Sequence, residues 1–161
     1  MARRGVRRTL SGRYAVRLSP EERNLLRGIP AIVRGVLDAD DRDDPVMRRL
    51  FPSASLEDPE SAAAFDALVR GDLDRGKREH LEALERTADA ERLTEEELLA
   101  WLGAVNDVRL VLGVRLGVSE DSEPADFRGD EEAFASYALY GYLTWLEDDI
   151  VRALAGSLPN G

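Results

Sequence analysis

An almost wholly apolar helical run, Trp101 to Leu116, carries Asn106, Asp107 and Arg109 in its middle. Aliphatic residues would serve stability better there, so the polar groups imply either a buried network or a held ligand or partner. On a helical wheel Arg109 falls with Leu98, Leu102 and Leu116, beside a face centred on Trp101, Val105, Val108 and Leu112. Asn106 lies at the margin of that arc, within reach of Arg109, whereas Asp107 points towards the opposite side with Ala100, Gly103 and Val114. A guanidinium keeps its proton, so Arg109 must reach water or find a carboxylate. Asp72 is the best-placed candidate, because it shares an apolar helix face with Phe65, Leu68 and Val69, and His80 lies two turns further along that face. The expected contact is therefore Asp72 with Arg109, completed by Asn106, with Asp149 as second choice. Such a set could fix helix register, hold an anionic group through Arg109 and Asn106, or use His80 as a base. A histidine on an apolar face is also the pattern of a satisfied core residue.

Other chemistry is narrowed by what the chain lacks. It has no cysteine, which removes disulfides, thiol nucleophiles and thiolate metal sites, and His80 is its only histidine. Zinc sites and Ser-His-Asp triads therefore have almost nothing to build on. An all-carboxylate metal site is the weak alternative left open; the acidic loop over 117–130 has no calcium-loop spacing and reads as a solvated loop, and no metal or other cofactor is expected. Lys77 is the one lysine among 22 basic residues and reads as compositional bias.

The 161 residues are 43% hydrophobic and 34% charged, an ordinary balance for one globular domain. No apolar run reaches the roughly 18 residues of a membrane span, and the N-terminus does not read as a secretory signal, so the cytoplasm is the expected location. The formal net charge of −10 is uneven: Arg3, Arg4, Arg7, Arg8, Arg13 and Arg17 sit in residues 1–18 without an acid. That basic edge could touch a protein partner or nucleic acid, or fold back on the acidic body, although the body itself repels phosphate.

The elements that must position these residues are mainly helical. Residues 5–10 and 13–18 flank Ser11-Gly12 as a hairpin. Ser19-Pro20 with Glu22 opens a first helix over 20–38, which Pro30 should kink or split. Asp44-Pro45 starts a short helix ending near Phe51-Pro52. Asp58-Pro59-Glu60 opens a third, whose apolar face holds Phe65, Leu68, Val69, Leu73, Leu81 and Leu84. Thr94 and Glu97 cap a fourth over 95–116, and a last helix covers 131–156, with Tyr137, Tyr140, Tyr142 and Trp145 as packing aromatics. Pro159-Asn160-Gly161 reads as a frayed end. The expected fold is a single mainly α domain of about five helices, with a basic hairpin (1–18) packed on a helical bundle (19–157).

The run Trp101-Leu102-Gly103, Asn106-Asp107 and Arg109, with the basic N-terminal strand from Arg3 and the Asp58-Pro59-Glu60 helix start, resembles a family of actinobacterial domains of unknown function. The resemblance is close to full length. It implies neighbours in the genome such as the substrate adaptor of the Clp protease and cysteine-synthesis genes, and hence a link to proteolysis or stress metabolism. A member that sensed oxidants through cysteines would have no counterpart here.

The leading functional expectation is a non-enzymatic regulatory or adaptor protein acting through protein contacts, using the basic hairpin (Arg3, Arg4, Arg7, Arg8, Arg13) and the edges of the last two helices. A transcription-associated regulator touching nucleic acid through the hairpin is the alternative. A small-ligand-binding protein or enzyme using Arg109, Asp72 and His80 comes third. The few polar positions on the fourth helix also suggest a homodimer packed through the terminal helices.

Overall fold

A computed structural model describes residues 3–52 and 59–156. The chain runs β1 (Gly5–Arg8), β2 (Tyr14–Arg17), α1 (Pro20–Gly28), α2 (Pro30–Ala39), α3 (Pro45–Leu50), α4 (Pro59–Thr87), β3 (Arg92–Leu93), α5 (Glu95–Leu116), a 3-10 turn (Pro124–Phe127) and α6 (Glu131–Ala155). The fold is mainly α with a small N-terminal sheet. The proposed cap at Asp58 and the end at 159–161 lie outside the described residues.

Local chemistry explains most boundaries. Ser19 and Glu22 form a reciprocal capping box on α1, and Thr94 and Glu97 do the same on α5, whose other end is closed by Gly117 in the left-handed conformation. Pro30 splits the expected first helix, because it has no N–H to continue the ladder and takes the first position of α2.

Two expectations change. The hairpin connection is longer than Ser11-Gly12: Thr9 N–H donates to Arg13 O at 2.7 Å and Gly12 N–H to Thr9 O at 3.1 Å, with Gly12 at φ 84°. A third strand then joins the sheet in the order β1-β2-β3, all antiparallel, pairing Tyr14 with Leu93 and Ala15 with Arg92. It was too short to leave a pattern in the sequence.

α5 is the axis of the bundle. It packs against α4 on one side and α6 on the other, with α2 and α3 covering more of its surface, and no side chain from Ala100 through Val114 is exposed. Trp101 is fully buried and its Nε1–H donates to Thr87 Oγ1 at 2.6 Å, which in turn donates to Ala83 O at 2.6 Å. Val6, Tyr14, Val16 and Leu93 extend the same core into the sheet. Arg23 ties the corner together by donating to the carbonyls of Ala88, Ala90 and Val16. No described helix is long and apolar enough to cross a membrane.

Candidate functional site

The charged residues of α5 face two different neighbours. Asp107, only 5% exposed, turns to α4, where the Lys77 ammonium donates to both carboxylate oxygens at 3.1 and 3.3 Å. Arg109 turns to α6, where Nε donates to Thr144 Oγ1 at 2.9 Å and the guanidinium pairs with Glu147. The two ties hold the central helix from opposite sides, and Asn106, half-buried, joins neither.

The expected Asp72–Arg109 contact does not form. Asp72 has a side chain 71% exposed and pairs with Arg75 at 3.3 Å on its own helix. The side of α5 that Arg109 occupies is covered by α6, not α4. Asp149, the second choice, is also engaged elsewhere: it is 2% exposed, accepts from Val6 N–H at 2.7 Å, and receives Arg3 at 2.8 Å. Asp107, placed outside the inward group by phase, is buried because α5 has no outward side.

His80 sits against Gly103, where any Cβ would collide with the imidazole. Glycine there lets α4 and α5 approach. His80 and Asp107 thus share the α4–α5 seam, while Arg109 lines a separate groove with Arg49, Leu110, Gly113 and Tyr140. Asp72, His80 and Arg109 are not brought together in one pocket, and no described group of three or more histidines and carboxylates is arranged to hold a metal.

Electrostatics separates these groups. Burial pushes the Asp107 carboxyl above its usual range, and Lys77 and then His80 offset only part of that. For Arg109 burial works towards a lower pKa, but the Glu147 carboxylate reverses it and the net shift is upward. Burial also opposes ionisation of Glu22, yet the Arg4 guanidinium and the Ser19 N–H hold its carboxyl below the usual range.

The N-terminal arginines divide into two sets. Arg4 Nε donates to buried Glu22 at 2.7 Å, and its guanidinium stacks over Trp145, 4.4 Å from the ring centroid. Arg3 and Arg4 therefore latch the first strand to the body. By contrast, Arg7, Arg17 and Arg92 share the sheet face of Ala15, are all exposed, and make no ion pair among the described residues. Arg8 and Arg13 are exposed nearby. Arg92 was missed because its strand was missed. Lys77 was missed because a lone lysine was read as composition, although its type was the available signal: a compact ammonium, where every other cation is a guanidinium, reaches the buried Asp107.

The pattern of a domain of unknown function, DUF2017, matches residues 3–154. The "Oxidative stress regulator AosR" of Mycobacterium tuberculosis is 29% identical over 185 aligned residues, covering 90% of this chain and 84% of its own length. The protein of the same name from Mycobacterium bovis aligns with the same identity and coverage. No solved structure matches the chain.

Proposed function

This chain belongs to the DUF2017 family, and from that premise we propose that it is a non-enzymatic regulatory protein of the cytoplasm that acts through contacts with another protein, in stress metabolism or linked proteolysis. The observation that carries the reading is the division of its charges. Those inside the bundle are neutralised pairwise, while Arg7, Arg17 and Arg92 stand exposed on one sheet face of a chain whose net charge is −10. A local cation cluster on an acidic protein favours an acidic partner surface and discourages other copies of the acidic body.

The similarity to an oxidative stress regulator supports the regulatory part of the proposal. With no cysteine in the sequence, an oxidant signal reaching this protein would not be read by its own thiols. It would arrive through the partner.

Capture of native partners from lysate tests this directly. Arg7→Gln/Arg17→Gln/Arg92→Gln is expected to lose a partner that the wild type retains, at a Tm within a few degrees of it, because exposed substitutions typically change stability by about 0.5 kcal/mol or less. Equal capture by both proteins would refute the role of the sheet face. The nucleic-acid alternative predicts DNA or RNA binding through the same arginines, with an affinity that falls steeply as salt rises.

A further inference from the structure

The first half of α4 carries an apolar face that the other described residues leave largely uncovered. Phe65, Leu68 and Leu73 have the spacing of a core face, yet they are 47%, 72% and 38% exposed. Next to them, between α3 and α4, lies a groove of about 480 Å³, the scale of a binding pocket. Met47, Phe51, Phe65 and Leu73 give it an apolar lining, Arg42 and Arg48 flank it, and the one carboxylate among the described lining residues, Asp66, is already engaged by an interaction of its own. Neither of those arginines makes an ion pair among the described residues. Arg70, also on the groove, is by contrast held by Asp40 at 3.3 Å and stacks 4.5 Å from the Phe51 centroid.

We propose that this groove docks one amphipathic helix of a partner protein, with apolar residues at i, i+3 or i+4 and i+7 entering between α3 and α4 and acidic residues meeting Arg42 and Arg48. Three physical points select that occupant. An apolar lining discriminates against a polyanion such as nucleic acid, whose backbone offers nothing to bury. Arg42 and Arg48, which make no ion pair among the described residues, outnumber the already engaged Asp66 on the groove, so locally it complements an acidic segment and opposes a basic one. A second copy packed by two-fold symmetry would bring its own Arg42 and Arg48 against the same patch, so like charges would meet. The proposal rests on the reading of this protein as one that works through protein contacts, but it uses a surface separate from the sheet face.

The test is fluorescence anisotropy on the full chain with two labelled model helices of identical Leu/Ala pattern, one carrying Glu and the other Lys at its flanking positions. The Glu helix should bind saturably and about tenfold more tightly than the Lys helix. Arg42→Gln/Arg48→Gln should weaken it about fivefold, since each charge contact at a rim is modest. Phe65→Ser should weaken it as well, with Tm close to wild type because the ring is half exposed, and Arg7→Gln/Arg17→Gln/Arg92→Gln should leave it unchanged. Equal binding of the Lys helix, insensitivity to the Arg42/Arg48 or Phe65 changes, or no binding at millimolar protein would overturn the groove proposal. So would a dimer in sedimentation that Phe65→Ser abolishes, since that would give the groove to a second copy. Loss of the lysate partner in the sheet-face variant would still uphold the broader reading in each of these cases.

Discussion

Lys77→Met is expected to destabilise the protein by about 3 kcal/mol, measured by urea unfolding at neutral pH, because it leaves Asp107 buried and uncompensated. The Asp107 side chain is 7% exposed and Lys77 17%, so solvent cannot replace the lost ammonium without opening the α4–α5 seam. The pair itself is worth much less than this cost. Lys77→Met/Asp107→Leu should therefore recover most of the loss, since removing both charges also removes their desolvation. A full-size deficit in the double variant would mean that the pair supplies net stability. The dependence on pH gives a second readout. Burial raises the Asp107 carboxyl, so the folded chain binds that proton more readily than the unfolded one. Its contribution favours folding at low pH and is lost as pH rises through its folded pKa. Lys77 acts to lower that pKa, so its removal raises it further, and the Lys77→Met deficit should shrink as pH falls through the raised pKa of Asp107 in the variant. Glu22, held low by Arg4, behaves in the opposite sense: its stabilisation is lost as pH falls through its folded pKa.

Gly5→Ala should cost a comparable amount, about 3 to 5 kcal/mol, through two additive causes. Gly5 has φ 119°, a conformation that side chains with a Cβ rarely adopt. An added Cβ would also collide with the Asp149 carboxylate, which accepts from Val6 N–H and receives Arg3. Displacing Asp149 leaves a buried backbone donor and a buried carboxylate without each other. Loss of β1 from α6 should expose Trp145, on which Arg4 stacks, and shift its emission to the red. A deficit below about 1 kcal/mol would show that the first strand is only loosely held.

How far the sequence could reach depended on how local the cause was. Capping boxes act within four residues, and α5 begins and ends where Thr94, Glu97 and Gly117 dictate. Pro30 broke the first helix for an equally local reason. The partner of Arg109 was not local. The wheel gave a direction on α5, but only the packed bundle decides that α6, with Thr144 and Glu147, occupies that direction. Asp107 was misjudged for a related reason, since a wheel with one inward face cannot describe a helix covered all round. The weak amphipathicity of α5 was the usable sign of this. Phe65, Leu68 and Leu73 show the converse: their period is that of a buried face, and periodicity does not say whether the cover comes from the same chain.

Whether the charges of α5 hold the bundle or engage a partner is decided by capturing native partners with core-pair and sheet-face variants side by side. Lys77→Met/Asp107→Leu and Arg109→Met/Glu147→Leu, each confirmed folded, are predicted to retain the wild-type partner, while Arg7→Gln/Arg17→Gln/Arg92→Gln loses it. Loss of the partner by folded core-pair variants, with retention by the sheet-face variant, would contradict this and return the working site to α5.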